Sequence, residues 1–536
     1  MPKVSADGRR VAVVGAGIGG LSAAALLAKD GYEVDVYERL PYAGGKAASL
    51  DLGGYRFDTG PSLFTMPWVF RDFFARLGER MEERLRPIAL EPICNYFYPD
   101  GSRLSAYGDE ARFGAELEAK TGSTRAELGR YLRSGGRLWD IAGELFLTKS
   151  LHETSTYLSK RGLRSIAKLP WIDPFRSLHE ANATAFRDPR VVQLFDRYAT
   201  YNGSSPFKTP ATMRIVPQVE YQWGGWAVEG GIRSVATALE GAARDAGARI
   251  RLDSEVEAIL TEPRGARGRE GPMRTPGPAA GGRFEAGRPA RATGVRVGGR
   301  ELPYDIVVSD ADVLSTYRRL LGAPDAPEAR RYESLEPSSS GLVFLWGIKA
   351  AFPELSSNNI FFSGDYRAEF QALFAEPPPA RGSAAGAWPG PELTIYINIT
   401  SKTTPGDAPP GRENWFVLVN APRNAGQDWA PIAAEVRRRV LERLSRELGR
   451  DVEALIEVER ITTPADIERD TGSTYGSLYG IASNDRLSAF FRHPNRSRRI
   501  RGLYFCGGSA HPGGGMPLAL LSGGLAAELA RKYGND

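Results

Sequence analysis

The chain is 536 residues long, 42% hydrophobic and 25% charged, and its 69 Lys and Arg against 64 Asp and Glu leave a net charge of +5. That length exceeds one ordinary core and suggests two or three domains, while so mild a charge, without a basic helix, zinc-ligand spacing or aromatic strip, excludes nucleic acid as the expected partner. Two cysteines, Cys94 and Cys506, cannot form a disulfide framework and fit a reducing cytoplasm.

In chain order, Val11 to Val14 reads as a buried parallel strand, Leu21 to Lys29 as an Ala/Leu helix stopped by Gly31, and Val34 to Tyr37 as a second strand, which makes a βαβ unit. Between the first strand and the helix, "GAGIGG" sets Gly15, Gly17 and Gly20 in GxGxxG spacing, with Ile18 and Gly19 inside it. Gly15 permits the tight turn, Gly17 leaves no Cβ in the path of a pyrophosphate, and Gly20 lets the helix close on the strand, so phosphates sit at the helix N-terminus. Glu38, 18 residues after Gly20, is placed to accept the ribose hydroxyls, and an acid there disfavours a 2′-phosphate. The fingerprint itself leaves FAD and NAD both open. The same glycine register argues against reading the apolar N-terminal run as a signal peptide, and no other run is long enough to span a bilayer.

Further along, Ile232 to Ala246 is helical and strands follow around Ile250 to Leu252 and Val256 to Leu260. Glu262 to Arg291 is rich in Gly, Arg and Pro without an apolar period and is expected to be a mobile surface insertion. A hairpin then leads to a strand at Ile306 to Val308; "SGLVFLWGI", "LTIYINI" and "WFVLVNA" are strand candidates, and an amphipathic helix lies near Ile432 to Leu448. Near the C-terminus the strand Leu503 to Cys506 runs into "GGSAHPGGGMP" and a final helix.

Several stretches carry a family resemblance. The doublet Gly44 and Gly45, followed by Lys46, resembles the loop that passes beside the FAD pyrophosphate in the flavin-dependent amine oxidase and carotenoid desaturase superfamily, and Arg501 to Ala530 resembles the distant segment that completes that cofactor site. "GGYRFDTGPSLFTMP", "RYATYNGSSPFKTPAT" and "GGWAVEGGIRSVATAL" together resemble bacterial phytoene desaturases along almost the whole chain outside the insertion. "FDTGPSLFTMP" followed by "CNYFYPDGSRLSAYGD" resembles the branch that desaturates 1-hydroxycarotenoids at the 3,4 position.

The resemblance implies an α/β fold: a Rossmann-type, glutathione reductase-like FAD-binding domain interleaved with an α+β substrate-binding domain. Residues 1–86, 220–316 (with the insertion 262–291) and 466–536 then build the FAD-binding domain, 87–219 a helical, membrane-facing substrate region, and 317–465 the sheet and helices of the substrate domain. It implies FAD as cofactor and no metal, with cofactor contacts at Gly15, Gly17, Ile18, Gly19, Gly20, Glu38, Arg39, Gly44, Gly45, Lys46, Gly60, Pro61, Ser62, Gly507, Gly508, Gly514, Gly515 and Met516, and backbone atoms of Val256 against the adenine.

Desaturation of a carotenoid removes a hydride from an allylic carbon and a proton from its neighbour. The polyene spreads the developing charge, so the protein chiefly holds the reacting carbon, excludes water and offers a modest base. His511 is a candidate base and equally a cap of the glycine-rich loop; Asp196 and Arg197 are further catalytic candidates, or a structural ion pair; His152, His179 and His493 read as surface residues. Leu147 to Phe175 interleaves Lys149, Lys160, Arg161, Arg164 and Lys168 with Leu, Ile, Trp171 and Phe175, which suits a helix lying in a headgroup region as well as a solvated one. The expected partners are a carotenoid, the cytoplasmic membrane surface, on which the protein would sit peripherally, and oxygen or a quinone as electron acceptor. Phytoene desaturase, a polyene isomerase or saturase, an amine oxidase, and a non-enzymatic lipid carrier of the Rab GDP-dissociation-inhibitor type are the alternatives; the last holds no flavin, whereas both cofactor loops are intact here.

Overall fold

The computed structural model describes residues 8–158, 162, 163, 165, 168, 172–263, 289–375, 388–390, 392–485 and 490–534. Its first strand, Arg10–Val14, is apolar and buried from Val11 onward because it lies in the middle of a five-stranded sheet covered on both faces. The order is Leu503–Phe505, Ile306–Ser309, Arg10–Val14, Glu33–Tyr37, Arg249–Arg251, and every pairing is parallel. Alternation along the strand divides two cores: Val11 and Val13 pack with the helical layer through Leu21, Leu27 and Leu239, whereas Ala12 and Val14 pack with Ile259, Val295 and Val307 on the other side. The sheet thus draws strands from both ends of the chain and from its middle.

Two helices make the closest contact in the helical layer. Ile18–Lys29 and Met516–Tyr533 meet through small residues, where Ser22 Oγ donates to the Leu520 carbonyl at 2.9 Å and a Cβ at Gly523 would collide with the Gly19 carbonyl. The N-terminal helix begins at Ile18, three residues before the Leu21 expected from sequence, because packing and the glycine loop override the low helical propensity of Gly19 and Gly20. The helix Arg233–Asp245 lies beside it and lends Val235, Leu239 and Ala242 to the same core.

A seven-stranded mixed sheet forms the second large element, in the order Ile456–Thr462, Ser340–Ile348, Glu413–Ala421, Ile395–Ile399, Asn358–Phe361, Cys94–Phe97, Arg103–Ala106. Its last two strands come from the stretch expected to be helical. "YPDG" between them makes the turn, with the Tyr98 amide donating to Ser102 O at 3.0 Å and Gly101 at φ 81°. The helix Trp429–Leu448, capped by Asp428, covers this sheet with Val436, Val440 and Leu444. The antiparallel strands Val256–Pro263 and Ala290–Val297 pair up to Pro263 and Ala290, so the expected insertion leaves from the end of a hairpin; its residues 264–288 lie outside the described residues.

The helix contact gives a direct expectation. Gly523→Leu overpacks the Gly19 carbonyl and destabilises by about 1–3 kcal/mol, whereas Gly136→Ala, in the helix Arg125–Leu138 with only Gln218 nearby, is neutral or stabilising by up to about 1 kcal/mol. Urea unfolding of the two variants measures the contrast.

Candidate functional site

The glycine loop is shaped by contacts that tolerate no side chain. Gly15 sits at φ 95° with its amide donating to Tyr37 O at 2.8 Å, and a Cβ at Gly20 would collide with the Gly15 carbonyl. A Cβ at Gly19 would fall 2.6 Å from the Gly507 amide nitrogen, so the N-terminal and C-terminal glycine segments touch. Gly44 donates its amide to Ala16 O at 2.7 Å and forms a bridge with Gly17, and Gly45 lies against Gly17. The Arg233 guanidinium holds this doublet in place by donating to the Ala43 carbonyl.

Two helix N-termini open onto the same region from glycine cap residues and without an acidic first turn: Ile18–Lys29 after Gly17, and Met516–Tyr533 after Gly515 at φ 104°. Open space surrounds the position of a Gly515 Cβ. Bare glycine backbone at two helix starts fits an anionic dinucleotide carrying a flat ring. Glu38 accepts the Ala16 amide at 2.8 Å on one oxygen and the Leu40 amide at 2.9 Å on the other, which leaves each oxygen a lone pair for a ribose hydroxyl. Arg39 donates to the carbonyls of Arg469 and Asp470, tying the end of that strand to the helix Pro464–Thr471. Val256 is 5% exposed in the core and pairs with Val297.

Beside the cradle lies a cavity of about 670 Å³ whose lining includes Gly45, Lys46, Gly60, Pro61, Ser62 and the run Pro512 to Leu518. One row across the seven-stranded sheet floors it, in register: Ile360, Tyr396, Leu418, Val343 and Thr462, with Tyr96 next in line beyond Ile360. Phe146, Leu147, Ile215, Val216 and Val219 close the opposite wall. Lys46 donates to the Ser477 and Leu478 carbonyls at 3.0 and 2.9 Å, and burial lowers its ammonium to about 8, with Asp312 opposing. Gly60 is bare because a Cβ there would strike the Lys46 carbonyl, and Gly514 because a Cβ would lie 2.9 Å from the Tyr479 ring.

Asp310, two residues beyond the strand expected at Ile306 to Val308, sits under the glycine loop. Its carboxyl accepts the amides of Gly20 and Gly17 and the Cys506 thiol at 3.7 Å, and burial, reinforced by Glu38, raises it to about 7. A Cβ at Gly17, Gly19 or Gly507 would meet its oxygens. An acid placed where the first sheet strand's neighbour ends, beside GxGxxG, was the only signal available.

The three catalytic candidates separate. His511 is fully buried behind its loop, its Nε2 bonded to the Lys149 carbonyl at 2.9 Å; burial lowers it to about 4, and the ring packs against Phe146 and His152 and does not line the cavity. Asp196 also stays off the cavity wall and bonds His179 Nδ1 at 2.7 Å and Asn182 Nδ2 at 2.9 Å. Of the three, only Arg197 lines the cavity, and its carboxylate partner is Glu220, not Asp196, because adjacent residues on a helix project to different faces. His493 is buried against Phe505 and Tyr317 and is not a surface residue, since its ring fills the space beside the strand Leu503–Phe505.

Fold and site together define a Rossmann dinucleotide-binding protein with a second, cavity-bearing domain. Residues 13–77 match a family model described as an NAD(P)-binding Rossmann-like domain. An oxidoreductase from Methanosarcina mazei shares the fold at TM-score 0.57 and 17% identity, over 97% of this chain and all (100%) of its own. The chain is 39% identical to a 1-hydroxycarotenoid 3,4-desaturase of a Flavobacterium species over 97% of its length and 99% of the relative's, and 33% identical to a 4,4′-diapolycopene oxygenase of a Methylomonas species over 98% of both. It belongs to the carotenoid desaturase family.

Asp310 yields a pH prediction for the ligand-free protein. Its folded-state carboxyl holds a proton to about 7 against the 3.8 of an ordinary aspartate, so the stability it contributes is full below about pH 4 and is lost as pH rises through about 7. Asp310→Asn flattens that part of the profile in urea unfolding; an unchanged slope contradicts the assignment.

Proposed function

We propose that the protein is an FAD-dependent carotenoid desaturase that extends the conjugation of an acyclic 1-hydroxycarotenoid at its 3,4 bond. The observation that carries this reading is the junction of an apolar, sheet-floored cavity with a bare glycine cradle along the single run Pro512 to Leu518. A dinucleotide laid in the cradle brings its ring to the same wall that an apolar chain must follow. FAD supplies the hydride acceptor when bound.

In this reading Gly15, Gly17, Ile18, Gly19 and Gly20 receive the pyrophosphate at the helix start, with Gly44 and Gly45 alongside; Glu38 takes the ribose, Arg39 steadies its strand end, and Val256 backs the adenine side. Gly507, Gly508, Gly514, Gly515 and Met516 bring backbone to the ring, and Gly60, Pro61 and Ser62 face it across the cavity. Residues 1–86, 220–316 and 466–536 make the cofactor side and 87–219 with 317–465 the substrate side. Apolar walls exclude water and hold the reacting carbon. Arg197, a permanent donor, binds instead of abstracting a proton, and His511 anchors its loop.

The substrate is delivered from a lipid surface. Among the described residues the exposed large apolar side chains are Leu158, Leu163, Phe175 and Phe491; Phe491 adjoins Phe490, which lines the cavity and packs on Phe146. Lys149 and Lys168 are exposed in the same stretch, while Lys160, Arg161, Arg164 and Trp171 lie outside the described residues. Among the described residues no helix is long and apolar enough to cross a membrane, which suits docking at a surface.

Expression in bacteria that accumulate a 1-hydroxylated acyclic carotenoid is expected to give a pigment with one more conjugated double bond. An oxygen-bearing product with unchanged conjugation favours oxygenase chemistry, and unchanged pigment with FAD bound overturns the reading. His511→Ala is expected to keep FAD and conversion; loss of conversion with FAD retained restores His511 as the base. Flotation with anionic vesicles, weakened by salt, tests the docking face.

A further inference from the structure

A cavity for a hydrocarbon has no use for an arginine, yet Arg197 faces this one at 6% exposure. Its hydrogen bonds can be counted. Nε–H donates to Tyr96 Oη at 2.7 Å, one Nη1–H to Tyr201 Oη at 3.2 Å, and the Nη2 pair to Tyr198 Oη and Glu220 Oε1, both at 3.2 Å. These use four of the five guanidinium N–H groups, and the second Nη1–H has no acceptor among the described residues. Beside it, Glu220 is 1% exposed and also lines the cavity. Its Oε1 accepts from Arg197 and from Tyr198 Oη at 2.6 Å, but Oε2 accepts only Tyr201 Oη at 2.5 Å.

A donor and an acceptor lone pair therefore stand side by side on the cavity wall, at the Tyr96 end of the floor row and among Ile93, Cys94, Val216 and Val219; the other charged lining residues are Lys46, Arg460, Asp470 and Arg492. A hydroxyl group answers both: its oxygen accepts from Arg197 and its proton goes to Glu220. A bare hydrocarbon end answers neither and leaves both groups desolvated without partners. Tyr96, which holds Arg197 Nε, is the end of the floor row that continues through Ile360 and Tyr396, and Tyr396 Oη reaches Ser62 Oγ at 2.6 Å on the cradle side. A group anchored at Arg197 therefore sets how far along that row a polyene lies.

We propose that Arg197 and Glu220 bind the hydroxyl of an end-hydroxylated polyene, select it over the unsubstituted parent, and fix which carbon–carbon bond reaches the cofactor. This rests on the desaturase reading of the same cavity. The pair is a binding and specificity element, with Tyr201 positioning both members.

The test uses the FAD-loaded protein in detergent micelles, given a 1-hydroxylated acyclic carotenoid or its unsubstituted parent, with kcat, KM and carotenoid binding by quenching of tryptophan fluorescence. The wild type is expected to prefer the hydroxylated compound in kcat/KM by about 10²-fold or more, since a site built around a hydrogen bond rejects the analogue lacking it. Arg197→Met combined with Glu220→Leu removes the pair without leaving a lone buried charge, and Tyr201→Phe removes one hydroxyl; both are expected to shrink the preference, chiefly through KM and binding of the hydroxylated compound. If the double variant fails to retain FAD, Tyr201→Phe decides alone. An undiminished preference in a folded variant, or equal turnover of both compounds by the wild type, overturns this inference and leaves the desaturase reading standing. Turnover of neither compound by FAD-loaded wild type overturns the desaturase reading, and this inference with it.

Discussion

Everything in this molecule depends on how closely the two ends of the chain approach. Gly19 near the N-terminus lies against the backbone of Gly507, and Gly523 lies against the Gly19 carbonyl; a side chain at Gly19 or Gly523 would push the segments apart. That contact is possible because Ile306–Ser309 separates Arg10–Val14 from Leu503–Phe505 in the parallel sheet, so both glycine loops leave the same strand edge side by side. Parallel strands all point their C-terminal ends one way, and ligands of such sheets gather at that edge. Two glycine-led helix starts and a bare cradle follow from the one packing constraint.

The cavity is the second consequence. The run Pro512 to Leu518 is both the lead into the last helix and one wall of the apolar space, so whatever fixes that helix also fixes the wall. His511 contributes from behind, where its bond to the Lys149 carbonyl links the C-terminal loop to the segment carrying Phe146 and Leu147. The opposite floor is a flat row of side chains from one sheet, a shape suited to an extended rigid molecule. Family membership and geometry meet here: the relatives are named for carotenoids, and the space is floored by a largely apolar row from one sheet.

The βαβ unit, the Arg233–Asp245 helix and the C-terminal strand, loop and helix were legible because each combines a strong apolar pattern with glycines at fixed offsets. The strands Cys94–Phe97 and Arg103–Ala106 were hidden inside a long stretch read as helical, although "YPDG" carried a turn signal. The pairing of Arg197 with Glu220 was out of reach: they are 23 residues apart with no shared period, and the adjacent Asp196 offered a nearer partner that the backbone turns away. Asp310 was missed for the same reason, since its environment is assembled from Gly17, Gly20 and Cys506, residues brought together only by the sheet.

The central claim, that cradle and cavity together let a carotenoid reduce a bound flavin, is tested most directly by anaerobic mixing of the FAD-loaded protein with a 1-hydroxylated acyclic carotenoid while recording the visible spectrum. The account predicts loss of the oxidised flavin band in step with the rise of a longer-wavelength polyene band. A flavin that stays oxidised while the carotenoid is bound and unchanged would contradict it.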